Sequence, residues 1–329
     1  MLLVIGFHSG YLPVLSRIGW CGVDLFFVLS GYLISGLLFD EYQASGTLRL
    51  GRFWMRRGLK IWPSLYLWLL AMAPQLVLGA KLKYFLSAAF YYSNYYSVMD
   101  ARDNVIFGHT WSLSVEEHFY LALPLLLLWL IRVRRLDLVP WIGAGLLVLC
   151  LVLRCLSPDH AWRASQCRVD SLFVGVVLRY WREFRSHLFE RISHPRNLWI
   201  SFALLCTLSA PTTLIARYGF PCLAVAFAIL LAWSIDRRPQ TRTGKLVCSR
   251  LGKLGAYSYP IYLWHQPFSG IVAAFPTFLR FVFVVAAVMI WGILMSKFVE
   301  IPVLKLRDRL WPSIPAQGSR VLAVAADIS

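Results

Sequence analysis

The sequence predicts an all-α protein, a polytopic transmembrane helix bundle of about ten spans with both termini in the cytoplasm. Three observations predict this fold class. Of the 329 residues, 59% are hydrophobic and the mean hydropathy is +0.62, which fits a chain embedded in lipid. Several apolar runs of roughly 18–22 residues are long enough to cross a hydrocarbon core of about 30 Å. Lys and Arg are concentrated in the short segments between these runs, as in cytoplasmic loops.

The count of spans comes from apolar segments taken in chain order. They are 1–12, 22–39, 62–79, 114–131, 138–154, 169–181, 197–211, 217–235, 256–275 and 278–299. The first is short and is interpreted as a truncated span. If it begins in the cytoplasm, the inner segments hold most of the 33 Lys and Arg residues, which favours two cytoplasmic termini. No internal repeat or long linker is evident, so we expect a single domain over 1–329, with 312–329 as a C-terminal cytoplasmic tail.

Charge and cysteine content narrow the class of partner. The net charge of +17 could suggest nucleic acid, but the basic residues follow the predicted membrane topology, so no nucleic-acid partner is expected. The seven cysteines are scattered and form no CxxC or Cys/His pattern, so no metal site is predicted. The expected surroundings of the chain are therefore the lipid bilayer.

An apolar run of helix length, residues 19–36, contains an acid, Asp24, and a hydroxyl, Ser30, and it follows His8 closely. A carboxylate in hydrocarbon needs a partner. If two antiparallel helices turn near Ser16, His8 and Asp24 lie at one depth and can touch. A neutral histidine can accept a hydroxyl proton, and a paired carboxylate would fix its tautomer. His8 and Asp24 are therefore predicted to be catalytic. The alternative is a buried histidine that is hydrogen-bonded to a carbonyl.

The motif WSLSVEEHFY, residues 111–120, begins the fourth predicted span from the outer side. Glu116 would enter the membrane from the same side as His8 and Asp24, which predicts a polar cluster in the outer half of the bundle. The alternative is helix capping, because acids in a first turn are favoured by the helix dipole.

Further polar residues in apolar segments are candidates for contact with substrate. One of them is His265, in the sequence YSYPIYLWHQP, for which the alternative is a structural role. The candidate contacts to substrate are Ser30, Trp111, Tyr120, Asp170 and His265.

The inner segment 49–63 is strongly basic and carries interleaved aromatic residues. Arg57 and Lys60 are three residues apart and share a helix face, with Arg56 beside them, which suits a polyphosphate ligand. The alternative is a charge cluster that only sets topology at a headgroup surface. Pro63 fits the first turn of the following span.

The outer segment 81–110 is the longest predicted loop and is rich in Tyr and Asn. Aromatic and amide side chains suit stacking on sugars and hydrogen bonding to them. An aromatic belt at the membrane interface is the alternative for most of these tyrosines.

Seven motifs follow one another along the chain: FHSG, GVDLFFVLSGYLISGLL, FWMRRGLKIWP, WSLSVEEHFYLALP, RVDSLFVG, YSYPIYLWHQP and VEIP. Their order and spacing resemble the acyltransferase 3 family. These are integral membrane O-acyltransferases that decorate lipopolysaccharide O-antigens, exopolysaccharides, Nod factors, peptidoglycan and macrolides. The resemblance covers nearly the whole chain.

The resemblance implies acyl transfer, usually of acetyl, from cytoplasmic acyl-CoA to a hydroxyl group of a carbohydrate or lipid-linked glycan. It places the protein in the bacterial inner membrane as a multi-pass enzyme that uses no metal. The family's essential histidine matches His8, its acid after GV matches Asp24, and its motif glutamate matches Glu116. Its paired-arginine motif matches Arg57 and Lys60, which implies a donor site there.

The chain departs from the family pattern at three places. The family's arginine upstream of the histidine would fall before Met1, Lys60 replaces the second arginine, and His118 replaces a usual glutamine. Two alternatives therefore stay open. One is an inactive, truncated family member. The other is a proton-coupled transporter whose buried acids and histidines relay protons. Dependence on acyl-CoA would discriminate the enzyme from the transporter.

Overall fold

The computed structural model describes residues 1–9, 13–96, 106–235, 237, 241–271 and 277–312. Within these ranges the regular elements are helices and no strand is present, which confirms the all-α prediction. Most of the predicted tail, from residue 313 onward, and residues 97–105 of the predicted outer loop lie outside the description.

Short 3₁₀ or π segments join several of the α-helices in these ranges. The α-helices are α1 (Leu2–Ser9), α2 (Pro13–Ile18), α3 (Gly22–Ser45), α4 (Leu50–Met72), α5 (Leu82–Ala89), α6 (Trp111–Arg132), α7 (Val139–Leu156), α8 (Ser165–Phe184), α9 (Ser186–Ser193), α10 (Leu198–Leu205), α11 (Thr212–Leu214), α12 (Phe220–Ile235), α13 (Arg242–Ala256), α14 (Ser258–Ile271), α15 (Thr277–Met295) and α16 (Ile301–Leu310).

Length and hydropathy support a membrane protein, but they account for fewer spans than predicted. Every predicted apolar segment overlaps a helix. By both criteria five helical stretches of the described chain can cross a membrane, which leaves the count of ten spans and the two cytoplasmic termini as predictions. These stretches are Val14–Ser45, Gly108–Arg132, Leu136–Leu156, Thr212–Ile235 and Phe281–Leu310.

Helices α3 and α8 pack closely at the centre because glycines remove side chains from their contact. A Cβ atom on Gly31 would lie 1.8 Å from the carbonyl oxygen of Leu172, and one on Gly175 would lie 2.1 Å from the carbonyl oxygen of Val28. Small residues allow such backbone approach between helices in lipid. This contact fixes the register between the two helices that carry Asp24 and Arg168.

Helix α1 folds back on the residues that follow it. A Cβ atom on Gly6 would lie 2.5 Å from Leu15, and one on Gly19 would lie 2.2 Å from the carbonyl oxygen of Leu3. On its other side, Ile5 packs against α14 and α15 in a buried apolar cluster. Helix α1 is therefore packed between α2 and the residues that follow it on one side and the α14–α15 pair on the other.

The register of this hairpin differs from the prediction. Gly6 faces Leu15 and Gly19 faces Leu3, and a hairpin that turned near Ser16 would not bring these pairs together. Among the described residues, Asp24 pairs through Oδ1 with Arg168 and its Oδ2 has no hydrogen-bond partner, whereas His8 contacts Gln266 and His265. The predicted contact between His8 and Asp24 is wrong for this reason.

Helix α4 begins at Leu50, well before the predicted span 62–79. Pro63, predicted to lie in a first turn, lies inside the helix. The basic motif therefore belongs to the same helix as the apolar segment that follows it, and Arg57 and Lys60 project from the N-terminal half of α4 into the bundle.

Candidate active site

A histidine cluster, defined here as His8, His109, His265 and Gln266, joins α1, α14 and the 3₁₀ turn that precedes α6. The ring centroid of His265 lies 4.9 Å from that of His8 and 5.1 Å from that of His109. The side-chain amide of Gln266 lies 2.8 Å from Nδ1 of His109 and 3.3 Å from Nδ1 of His8. His109 and His265 are buried, whereas His8 is exposed. The cluster therefore presents one histidine to a ligand and supports it with buried groups.

Backbone and hydroxyl groups hold the two buried histidines in place. Nε2 of His109 lies 3.0 Å from the carbonyl oxygen of Leu263, and Nδ1 of His265 contacts the carbonyl oxygen of Tyr262. The Tyr262 hydroxyl donates to the carbonyl oxygen of His109 at 2.8 Å and lies 2.5 Å from the hydroxyl of Ser112. Both rings are fixed in orientation by these bonds.

A second group, the tyrosine–acid cluster, consists of Ser30, Arg57, Glu116 and Tyr120. Arg57 donates to the Tyr120 hydroxyl at 2.5 Å and its guanidinium lies 4.2 Å from the Tyr120 ring centroid. The hydroxyls of Ser30 and Tyr120 are 2.7 Å apart. The buried carboxylate of Glu116 interacts with all three neighbours, yet its Oε1 has no hydrogen-bond partner among the described residues. This cluster therefore combines a cation, an acid and two hydroxyls inside the bundle.

The two clusters follow one another along the chain at the start of α6. His109 lies in the 3₁₀ turn Gly108–Thr110, which runs directly into α6, and Tyr120 lies within α6. At about 1.5 Å of rise per residue the two are separated along this axis by about 16 Å. Between them, Ser112 contacts Tyr262, and Tyr262 also interacts electrostatically with Glu116. Polar groups therefore continue from the histidine cluster to the tyrosine–acid cluster.

An ion-pair quartet, defined as Asp24, Arg154, Arg168 and Asp170, forms the third polar group. Arg168 donates to Asp24 at 2.6 Å, and Arg154 donates to Asp170 at 2.8 Å. All four side chains are buried. The Arg168 guanidinium lies 3.6 Å from the ring centroid of Phe220, which gives it a cation–π contact. The Oδ2 atom of Asp24 has no hydrogen-bond partner within the described part of the chain.

The basic motif of α4 has three different partners. Arg57 faces Tyr120, as above, while Lys60 pairs with the buried carboxylate of Glu300 at 3.0 Å. Arg56 pairs with Asp308 at 3.0 Å and also donates to the carbonyl oxygen of Trp311. The side chains of Arg56 and Lys60 keep 23% and 25% of their surface exposed, so each can still meet a ligand.

The structure thus arranges the predicted residues differently from the sequence expectation. Ser30, Glu116 and Tyr120 come together, but their cation is Arg57, which was expected on the opposite, cytoplasmic side. The reason is that α4 and α6 run past each other, and the long arginine side chain reaches Tyr120. Asp170 and Asp24 belong to the quartet, and Trp111 packs beside it, 5.6 Å from the Arg168 guanidinium. His265 joins His8 instead.

Sequence reasoning missed His109, Gln266 and Glu300. His109 lies two residues before the WSLSVEE motif, and Gln266 lies inside the motif YSYPIYLWHQP, next to His265, so a position beside or within a motif was the available signal. Glu300 lies in the VEIP motif and is paired with a cation more than two hundred residues away in sequence. Such long-range partners leave no local pattern. In the part of the chain that the structure describes, no group of three or more His, Cys, Asp or Glu could hold a metal ion.

The same motifs that converge in space also match a family model. The model, which is described as an acyltransferase domain, covers residues 1–297. The chain belongs to the acyltransferase 3 family. This confirms the resemblance seen in the motifs. Five family motifs supply the members of the two clusters other than His109: FHSG gives His8, GVDLFFVLSGYLISGLL gives Ser30, YSYPIYLWHQP gives His265 and Gln266, WSLSVEEHFY gives Glu116 and Tyr120, and FWMRRGLKIWP gives Arg57.

Relatives of this acyltransferase 3 chain include proteins described as O-acetyltransferase OatA. The protein from Staphylococcus aureus strain MRSA252 is 27% identical over 340 residues, which cover 92% of this chain and 55% of the relative. The protein from strain NCTC 8325 is 30% identical over 281 residues, which cover 76% of this chain and 46% of the relative. The chain therefore spans about half the length of these curated relatives. No solved structure matches it significantly.

Proposed function

We propose that this chain is a multi-pass enzyme of the bacterial inner membrane that transfers an acetyl group from acetyl-CoA to a carbohydrate hydroxyl group. The single observation that carries the proposal is the exposed His8, supported by the buried His265 and the half-buried Gln266, in a chain of the acyltransferase 3 family. The relatives named as O-acetyltransferases support acetyl as the group transferred.

The donor site is proposed at the inner end of α4. Arg56 and Lys60 are partly exposed, and Arg307 lies beside the Asp308 carboxylate that Arg56 contacts. Cations outnumber acids at this end, which suits the phosphates of coenzyme A. Its flexible arm would then run along the tyrosine–acid cluster, where Glu116 Oε1 is available to accept from an amide N–H.

The chemical step is proposed at His8. The acceptor hydroxyl oxygen attacks the thioester carbonyl carbon while His8 takes the hydroxyl proton, and the carbon–sulfur bond breaks to release the coenzyme A thiolate, which then takes that proton. In a two-step version, a ring nitrogen of His8 first displaces the thiolate and carries the acyl group to the hydroxyl. Asp24 lies in the quartet and not against His8, so a catalytic role for Asp24 would act through other groups.

The acceptor is proposed to be a carbohydrate or lipid-linked glycan that approaches from the tyrosine-rich segment. Tyr92 and Tyr95 expose 38% and 47% of their surface, and the Tyr95 ring stacks on His118 at a centroid distance of 5.9 Å. Exposed aromatic faces of this kind can stack on sugar rings, which supports an acceptor site on this side.

The proposal is tested with purified chain in lipid nanodiscs, radiolabelled acetyl-CoA and isolated envelope glycans. We expect label to enter the glycan with the wild-type chain and with His187→Ala, which removes an exposed histidine of α9. With His8→Ala we expect the rate to fall by about a hundredfold or more, because a positioned base contributes on that order. A folded His8→Ala protein that transfers label at the wild-type rate would overturn the proposal.

A further inference from the structure

A lateral groove, defined here by lining residues within 137–147, 174–185, 188–192, 197–200 and 225–229, lies away from the histidine cluster. Helices α7 and α10 form its walls. Its floor consists of α8 and α12, which pack on each other, while α7 packs on α8 and α10 packs on α12. The volume of the groove is about 880 Å³. Pockets for small ligands typically have about 300–1,000 Å³, so the groove is large enough to bind one.

The groove extends halfway through the predicted membrane layer. Its lining on α7 belongs to the apolar stretch Leu136–Leu156, and its lining on α12 belongs to the apolar stretch Thr212–Ile235. At about 1.5 Å of rise per residue, residues 137–147 extend over about 15 Å, which is half of a hydrocarbon core of about 30 Å. The groove therefore has the depth of one leaflet, which is the depth that the acyl chain of one lipid occupies.

Polar lining residues are confined to one end of the groove. Asp137, Arg185 and Asn197 lie where α7 and α10 begin and α8 ends. The deeper lining, for example Leu147 and Val225, is apolar. Water gains few hydrogen bonds in such surroundings, whereas an apolar occupant buries its surface against them. The interior of the groove therefore favours a hydrocarbon chain.

The groove is open towards lipid and is held open by close packing. Trp141 and Ile200 stand on its two opposite walls and are both exposed, so a lipid can enter between them. At the floor, a Cβ atom on Gly143 would lie 2.5 Å from Cγ2 of Val177. Because α7 already packs this tightly on α8, the groove cannot close by a movement of α7 towards α8.

The polar end of the groove carries positive charge. Arg185 is exposed there, and its guanidinium has no hydrogen bond or ion pair with any other described residue. Asp137, the acid at this end, is neutralised by Arg135 at 3.2 Å. The segment 182–197 that borders the groove contains four arginines and two glutamates, so a net positive charge remains. Basic pockets between membrane helices bind anionic lipid head groups.

We propose that the lateral groove binds an anionic membrane phospholipid, with an acyl chain between α7 and α10 and the head group at Arg185. The apolar depth of the groove recognises the chain, and the unneutralised guanidinium recognises the negative charge. The bound lipid fills the space between the two walls and supports α10 against α12. This site requires only that the chain lies in a membrane, so it does not depend on acyl transfer.

The first test locates the acyl chain. The full chain is placed in phosphatidylcholine nanodiscs with a small amount of photoreactive phosphatidylglycerol, which carries a diazirine at the end of one acyl chain. Irradiation and peptide mapping then identify the residues that this chain end touches. We expect cross-links at the deep end of the groove, near Leu147 on α7 and near Val225 on α12. Cross-links spread evenly over the exposed apolar surface would overturn the proposal.

A matched pair of variants tests the groove itself. Ala144→Trp places an indole in the groove, so cross-links there should fall to the level of exposed apolar residues elsewhere. Gly145→Trp introduces the same side chain at the next position, which does not line the groove and where a Cβ atom meets nothing within 4 Å. Its cross-links should equal those of the wild type. Equal cross-linking in the two variants would contradict the proposal.

The second test measures the preference for negative charge by competition with unlabelled lipid. Phosphatidylglycerol should displace the probe better than phosphatidylcholine with the same acyl chains. Arg185→Gln should reduce this preference about fivefold, the order expected for one arginine beside an anionic lipid. Arg196→Gln removes an equal charge outside the groove lining and should preserve the preference.

Two outcomes of the competition would overturn the proposal. Equal displacement by the two phospholipids in the wild type would mean that the groove does not select anionic lipid. Stronger displacement by a polyprenyl phosphate would make an isoprenoid carrier the occupant instead of a phospholipid. Because Arg185 is exposed, its replacement should leave the fold intact and this readout valid even if Ala144→Trp does not fold.

Discussion

The ion-pair quartet and the histidine cluster are both polar groups inside an apolar bundle, but they differ in how their charges are compensated. In the quartet, each arginine meets an aspartate at 2.6 or 2.8 Å, and all four side chains are buried. In the histidine cluster, the partners are carbonyls and an amide, and one member, His8, is exposed. The quartet is a closed set of opposite charges, whereas the histidine cluster ends at an exposed group.

The comparison distinguishes two roles that buried polar residues can have in a membrane protein. An ionisable residue in lipid indicates function by default, but it can also be neutralised by a partner and fix the packing of helices. The quartet links α3, α7 and α8 through its side chains. The histidine cluster links α1, α14 and the 3₁₀ turn before α6, and it leaves one histidine, His8, exposed. We therefore expect variants of the quartet to affect stability first and variants of the histidine cluster to affect activity first.

The largest expected effect is the loss of activity in His8→Gln. Because His8 is exposed, its replacement should leave the unfolding temperature near that of the wild type. Acetyl transfer should fall by about a hundredfold to ten-thousandfold, because the base or acyl carrier is gone. Parallel measurements of transfer rate and thermal unfolding in nanodiscs check this. A variant that keeps its activity, or one that loses its fold together with activity, would contradict the contrast with the quartet.

Next comes Asp24→Asn, which leaves Arg168 buried without its counter-charge. Breaking one partner of a buried ion pair costs about 3–5 kcal/mol, so the free energy of unfolding should fall by that amount. Unfolding in mixed detergent micelles measures it.

A double variant decides whether Asp24 also takes part in catalysis. Asp24→Leu with Arg168→Met removes both charges and should recover most of the stability. If this double variant also recovers acetyl transfer, the role of Asp24 is structural. If it folds but stays inactive, the carboxylate, whose Oδ2 has no hydrogen-bond partner in the described ranges, serves the reaction.

We expect a smaller loss of stability from a variant that widens the α3–α8 contact, which aligns the helices of the quartet. Gly31→Ala places a methyl group 1.8 Å from the Leu172 carbonyl oxygen and must push α3 away from α8. Overpacking of this kind costs about 1–3 kcal/mol of unfolding free energy. Gly145→Ala is the matched control, because a Cβ atom there meets nothing within 4 Å. Equal stabilities for the two alanine variants would show that the α3–α8 contact does not hold the quartet.

The smallest effect is expected for Tyr120→Phe in the tyrosine–acid cluster. It removes a hydroxyl that accepts from Arg57 at 2.5 Å and lies 2.7 Å from Ser30, at a cost of about 1–2 kcal/mol. The ring and its cation–π contact remain. Tyr218→Phe, at an exposed tyrosine, is the control and should be neutral within error. A neutral Tyr120→Phe would mean that Arg57 and Glu116 are satisfied by each other.

The sequence by itself determined the helical class, the position of most helices and the motifs that carry the polar residues. Apolar runs of sufficient length must be helical in lipid, since every backbone group has to be hydrogen-bonded within its own segment. His8, Glu116 and Tyr120 could be named because they interrupt or adjoin such runs. The start of α4 was missed because its first turns are basic and lack the apolar signal.

Only the tertiary structure decided which polar groups meet. Asp24 pairs with Arg168 across 144 positions, and His8 meets Gln266 across 258 positions. In water, the polar face of a helix shows which side turns outward, but helices in lipid are apolar on both their outer and their packed faces, so periodicity gives little information about register. That register comes from close backbone contacts such as Gly31 on Leu172 and Gly6 on Leu15. A shift of one turn in either contact would change the partners of every side chain in the site.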